Sequence, residues 1–359
     1  MQRERNDAPS AQIEVYMDKP TEGFHPLQYL LFVVGTLAAV LLCVCLGSVN
    51  IPLADTLTAV WNSIWGLPIP QGVSRSVIIF VRLPRIICVA LSGAALSLCG
   101  AAMQGLLRNP LADGSTLGVS SGASLGAIAA IAFGLTIPGI QYGGAMVMAM
   151  AFAFLSLIFI LSLAYRLDHS LATNTIILIG VIFTMFAHSI ISLIITFSGD
   201  KVKSIMFWTM GSLAGSSYQS ALALLAALLI CGTLMLLSAR ELNAFAIGED
   251  NARHVGVDVK RVKLRVLISA SALIGVCVAV GGTIGFVGLV MPHIMRMMIG
   301  PNHKRLLPAS MFGGAIFLLL ADLLGRTILS PLEIPIGVIT SLIGSIVFVY
   351  IFYSQRKAG

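Results

Sequence analysis

Leu264–Ile299 reads LRVLISASALIGVCVAVGGTIGFVGLVMPHIMRMMI, and its length decides the fold. As one helix it would extend about 54 Å at 1.5 Å per residue, against a bilayer core of about 30 Å. Gly281-Gly282 supplies a break, so the stretch reads as two spans, 264–283 and 285–299, the second short. Outward from it lie apolar runs at 27–47, 86–107, 116–134, 144–165, 175–197, 219–238, 308–326 and 335–353. The expectation is an all-α, polytopic membrane protein with about ten transmembrane helices in a compact bundle.

Composition agrees. Of 359 residues, 57% are hydrophobic and only 10% charged, whereas globular domains carry roughly 25% charged residues. Three regions follow: a polar N-terminal lead over 1–26, a membrane domain over 27–353 containing a cytoplasmic loop at 239–264, and a tail over 354–359. The lead is long and acidic, with Glu4, Asp7, Glu14, Asp18 and Glu22 before a run of spanning length, unlike a cleavable signal. Ten spans place both termini on one side. With the termini in the cytoplasm, the inner segments hold sixteen Lys and Arg and the outer side six, so the positive-inside rule makes both termini cytoplasmic. The net charge of +7 is spread over loops and speaks to topology rather than nucleic acid. In the outer stretch 48–85, Ile51–Trp65 suits a helix lying on the interface. Gly105-Leu106-Leu107-Arg108-Asn109-Pro110 echoes Gly288-Leu289-Val290-Met291-Pro292; the echo is read as the inner ends of two spans and as a sign of internal duplication.

Gly118, Gly122 and Gly126 share a helical face that lets another backbone approach closely. Thr184, His188, Ser192 and Thr196 recur every four residues along the fifth span. An imidazole in a membrane helix faces a bundle interior or a wet cavity, so this stripe is read as lining a pathway; a satisfied packing face and metal coordination are the alternatives. Gly337, Ser341 and Ser345 form a weaker face on the tenth span. Asp322 and Arg326 are spaced to pair at i, i+4. Met291, His293, Met295 and Met298 point in different directions at helical spacing, so no metal site is expected. The six cysteines all lie in apolar runs, read as buried thiols. There is no GxxxxGK[ST] loop, the dipeptide Gly-Lys never occurs, and no paired intramembrane carboxylates suggest a proton relay.

Arg82-Leu83-Pro84-Arg85 opens a series of motifs. Gly93-Ala94-Ala95-Leu96 follows, then Gln104–Ala112 (QGLLRNPLA), Leu117–Ala123 (LGVSSGA), Gly248–Gly256 (GEDNARHVG), Gly285–His293 (GFVGLVMPH) and Glu333–Val338 (EIPIGV). From Arg82 to the C-terminus the chain resembles the permease family of type II ABC importers for ferric siderophores, haem and cobalamin. The resemblance implies a permease subunit of a bacterial inner-membrane importer. It implies a homodimer, or a pair with a close paralogue, around a central pathway, with two cytoplasmic ATP-binding subunits and an extracytoplasmic substrate-binding protein. The chain itself would be no enzyme and bind no cofactor, ATP and Mg belonging to the ATPase. Arg82, Arg85 and Arg326 match positions that dock the binding protein. Gly248, Glu249, Ala252, Arg253, Val255 and Gly256 match the loop that contacts the ATPase. Asn109, Leu111, Thr173 and Asn174 match a cytoplasmic gate. The family's Pro after the last glycine pair is absent at Gly344-Ser345-Ile346, which predicts a straighter end to the tenth span. A secondary transporter of a small organic solute is the competing reading; an intramembrane enzyme lacks a catalytic constellation, and a scaffold would not need the polar stripe.

Overall fold

The computed structural model describes residues 26–47, 76–114, 117–138 and 143–358, with residues 54, 58, 61, 62 and 65 between them. The acidic lead and most of the expected interfacial helix lie outside these. Trp61 and Trp65 are within them, exposed, with ring centroids 5.8 Å apart.

Every expected span corresponds to a helix. In chain order these are α1 (Pro26–Cys45), α2 (Val77–Leu107, opening on a π-helical turn), α3 (Val119–Phe133), α4 (Gly143–Leu167) and α5 (Thr173–Phe197). After the short α6 (Val202–Thr209) comes α7 (Tyr218–Leu237), then two loop helices, α8 (Ala239–Ile247) and α9 (Glu249–His254). The set closes with α10 (Val259–Gly281), α11 (Val287–Ile299), α12 (His303–Thr327) and α13 (Ile336–Ala358). Seven are long and apolar enough to cross a membrane, while α3, α11 and Ile336–Tyr350 are shorter apolar helices. The expected tail at 354–359 continues the last helix through Ala358, which runs unbroken past Gly344.

The break falls at Gly281-Gly282. Gly282 ends α10 at φ 68°, a conformation costly for residues with a Cβ, and its Cα faces the Trp208 carbonyl. Ser212 donates its backbone N–H to the Gly281 carbonyl at 2.8 Å, fastening the segment after α6 to the break. Side-chain caps start α7, α10 and α12: Ser217, Asp258 and Asn302 accept from the N–H groups of Ser220, Arg261 and Lys304.

The buried centre is α2 with α10, α11 and α12 packed around it. In lipid, helices associate by close packing rather than hydrophobic drive. Accordingly Gly93 lies against the Gly314 carbonyl of α12, and Gly100 against the Gly288 carbonyl of α11. The Gly118, Gly122 and Gly126 face packs as expected: Gly122 and Gly126 meet α4, and Gly118 meets α5. The internal echo fares differently. Gly105 closes α2, whereas Gly288 opens α11 and Pro292 lies inside it. The two stretches therefore occupy unlike positions and give no support for duplication. They touch instead: Gln104 Nε2 donates to the carbonyls of Gly288 and Leu289, each at 3.2 Å, while its Oε1 accepts from Arg296 at 3.0 Å.

Candidate functional site: two polar ends and an open stripe

The helices bring the chain's polar groups to opposite ends of the bundle, consistent with the expected alternation of spans. One end gathers Gly47, Arg82, Arg85, Asp322, Arg326 and Glu333 and is called the arginine end. Asp322 is its hub. Arg85 Nε and Nη2 donate to Asp322 Oδ1 at 3.0 and 2.9 Å, and Arg326 Nε lies 2.9 Å from Asp322 Oδ2. Arg85 Nη1 also donates to Glu333 Oε2 at 2.8 Å. Arg82 Nη1 donates to the Val44 carbonyl at 3.1 Å, and Arg326 Nη2 to that of Cys43 at 3.4 Å, where α1 ends. Arg82, Arg85 and Arg326 are 4%, 7% and 3% exposed. The three arginines matched to docking positions are thus buried rather than solvent-facing. They share one end of the bundle, where a carboxylate on α12 and the end of α1 draw them inside. The i, i+4 pairing of Asp322 with Arg326 is as read; its sharing with Arg85 is not something spacing reveals. Beside this end a cavity of about 690 Å³ is bordered by Arg85, Trp208, Ser217, Gln219 and Glu333.

The other end, the loop end, is built around α8 and α9. Lys263 is fully buried, and its ammonium meets Glu249 Oε1 and Oε2, both at 2.8 Å, and the Leu171 carbonyl at 2.9 Å. Glu249 Oε1 also accepts from Thr173 Oγ1 at 2.9 Å. Leu171 sits at φ 54° in a turn held by Asp168, which accepts from the N–H groups of Ser170 and Ala172 at 2.8 and 3.1 Å. The Ser170 side chain, then these backbone groups, hold the Asp168 carboxyl below the usual carboxylate range. Asn243 accepts from the His303 N–H at 2.8 Å, fastening α8 to the start of α12.

The loop residues divide by direction. Ala252 is buried and Glu249 turns inward, while Arg253, His254, Val255 and Gly256 are exposed, with Ile247 and Val255 giving the loop large bare apolar groups. Of the gate residues, Asn109 Oδ1 accepts from the Leu111 N–H at 2.9 Å, forming a tight turn with Leu111 exposed. Thr173 is half-buried and Asn174 exposed at the start of α5. Sequence reading missed the Lys263–Glu249–Thr173 cluster, although a signal existed. Lys263 shares the helical phase of Val259, Val266, Leu267 and Ala270, all buried on α10.

Between the ends, α5 carries the stripe. Thr184 is half-buried and His188, Ser192 and Thr196 are exposed in the single chain. Ser192 and Thr196 return their hydroxyls to the carbonyls of His188 and Ser192, at 2.9 and 2.8 Å. His188 also borders a cavity of about 290 Å³ whose lining mixes Asp113, Ser120 and Ser124 with Leu96, Ile274 and Phe286. Among the described residues no group of three or more His, Cys, Asp or Glu could hold a metal ion.

Comparison with known proteins places this architecture. The FecCD transport family matches residues 35–354. YvrB, an uncharacterized ABC transporter permease protein of Bacillus subtilis (strain 168), is 42% identical over 92% of this chain and 96% of its own length. The hemin transport system permease protein HmuU of Yersinia pestis is 36% identical over 90% of this chain and 96% of its own. A solved metal-chelate type ABC transporter in an inward-facing conformation superposes with a TM-score of 0.79 at 31% identity, covering 92% of this chain and all of the other. A membrane bundle of about ten spans, matched over nearly its whole length by ABC permeases, is a permease subunit and not itself the ATPase: the chain belongs to the FecCD transport family.

Proposed function

We propose that two copies of this chain, or one with a close paralogue, form the pathway of an ATP-driven importer for a bulky metal chelate. The cargo would be a ferric siderophore, haem or cobalamin; permeases named for hemin and for cobalamin are both among the relatives. The observation that carries the reading is the face of α5 where Thr184, His188, Ser192 and Thr196 form a polar stripe along a mostly apolar span. The His188 imidazole on that face is costly against lipid and at home against a wet pathway. The reading sets the chain in the bacterial inner membrane, with both termini cytoplasmic. A binding protein docks at the arginine end, with Arg82, Arg85 and Arg326 acting from beneath that surface. Two ATPase subunits, carrying ATP and Mg, meet α8–α9 through Ile247, Arg253 and Val255. Asn109, Leu111, Thr173 and Asn174 form the gate at that end. Alternating access then requires the two sites to favour different global states.

The test is reconstitution into liposomes with a partner ATPase and a substrate-binding protein of an importer of this family. Expected is uptake of haem, a ferric siderophore or cobalamin that needs ATP and both partners. Uptake driven by a proton or sodium gradient without the ATPase would overturn the reading in favour of a secondary transporter.

A further inference from the structure

Glu249 stands on the shortest helix at the loop end, and that helix has glycine at both edges. Gly248 and Gly256 lie at φ 126° and 88°, and nothing is within 4 Å of a Cβ built on Gly256. Six residues long, α9 is therefore held to the bundle mainly by what it turns inward, namely buried Ala252 and the Glu249 carboxylate. Asp250, Arg253 and His254 point away.

The carboxylate meets two separate elements. Lys263 brings α10, and its three N–H donors are satisfied by the two oxygens of Glu249 and the Leu171 carbonyl. Thr173 brings the first residue of α5. An ammonium with no exposed surface must keep such partners, because a buried charge without them is far more costly than one that is paired. The short helix cannot move far while Glu249 stays bound unless Lys263, the 168–172 turn or Thr173 moves with it. From Thr173, α5 runs as one helix to Phe197 and carries the whole polar stripe.

We propose that Lys263 and Glu249 are positioning residues: a buried ammonium gripped by a partly exposed carboxylate, a clamp through which displacement of α9 reaches Thr173 and so re-aims α5. Glu249 thus works inside the permease, while Arg253 and Val255 face outward. The inference rests on the reading that α8–α9 meets an ATPase.

The test uses the permease co-purified with its ATPase in nanodiscs, with native cysteines replaced and Ser192→Cys introduced. A polar maleimide reports the accessibility of position 192 with and without ATP trapping. In the parent, trapping should change the labelling rate by about fivefold or more, the lower range of ordinary coupling. Glu249→Gln and the double variant Lys263→Met/Glu249→Leu should bring that ratio to about one while ATP hydrolysis continues. The double variant guards against misfolding, since it removes both charges together. Thr173→Val, which deletes one hydroxyl and no charge, should lower the ratio in part, and Arg261→Gln, on the exposed face of α10, should leave it unchanged. Retention of the parent's ratio in the Glu249 and double variants overturns the inference alone. Absence of any ATP effect in the parent overturns the ATPase reading, and the inference with it.

Discussion

At the arginine end a carboxylate on the 25-residue α12 joins long helices already packed against one another, while at the loop end a carboxylate on a six-residue helix joins α10 to the start of α5. Asp322 and Arg326 are almost without solvent, with side chains 2% and 3% exposed, whereas the Glu249 side chain keeps 24%. The first arrangement can change only if the bundle comes apart. The second can be released by water and by rotation at Gly248 and Gly256. Buried charge thus stiffens one end and supplies a joint at the other.

The largest effect should follow Asp322→Ala. It leaves the Arg85 and Arg326 guanidiniums buried without their shared carboxylate, and losing one partner of a buried pair costs about 3–5 kcal/mol. A thermal unfolding series in detergent should show a severe loss of folded protein, and wild-type melting would remove the distinction between the ends. Arg326→Glu should fail similarly, before binding-protein docking can be measured. Glu333→Gln should cost less, its side chain being 35% exposed.

At the loop end, Lys263→Met should destabilise less than Asp322→Ala, because Glu249 can turn toward water. Adding Glu249→Leu should restore most of the melting temperature, since apolar replacement of a buried pair is often neutral. A double variant that melts below the single one would show that this end also serves as a stiffener. Gly256→Val is smaller still, about 1–2 kcal/mol for a side chain forced to positive φ. Open space around the Cβ confines the damage to backbone strain, so proteolysis within 248–257 should rise while the bundle melts normally. Smallest is the contrast along α5: Ser192→Cys and Thr196→Cys should label faster than Ile191→Cys, which is buried. Equal rates would reduce the stripe to packing.

The broad architecture was legible because membrane spans announce themselves by length. Gly281-Gly282 divided a run too long for one crossing, and a helix ends there. Boundaries were less legible where charge enters a span: α2 starts at Val77 rather than 86, enclosing Arg82 and Arg85. The burial of those arginines was not legible, because Arg85 is held by Asp322 and Glu333, more than two hundred residues away, and Arg82 by the Val44 carbonyl. Lys263 was counted among loop charges although its helical phase follows buried valines. Charge counting sees the side of the membrane; only phase and distant partners reveal which cations face inward.

The hydroxyls of Ser192 and Thr196 are already engaged by their own backbone. On the proposed reading, these two hydroxyls would offer a large cargo polarity without grip, since neither has a spare proton to form a deep well. Passage would then be timed by the opening of the joint rather than by escape from that part of the wall, and cargoes of differing chemistry would share one conduit at similar speed.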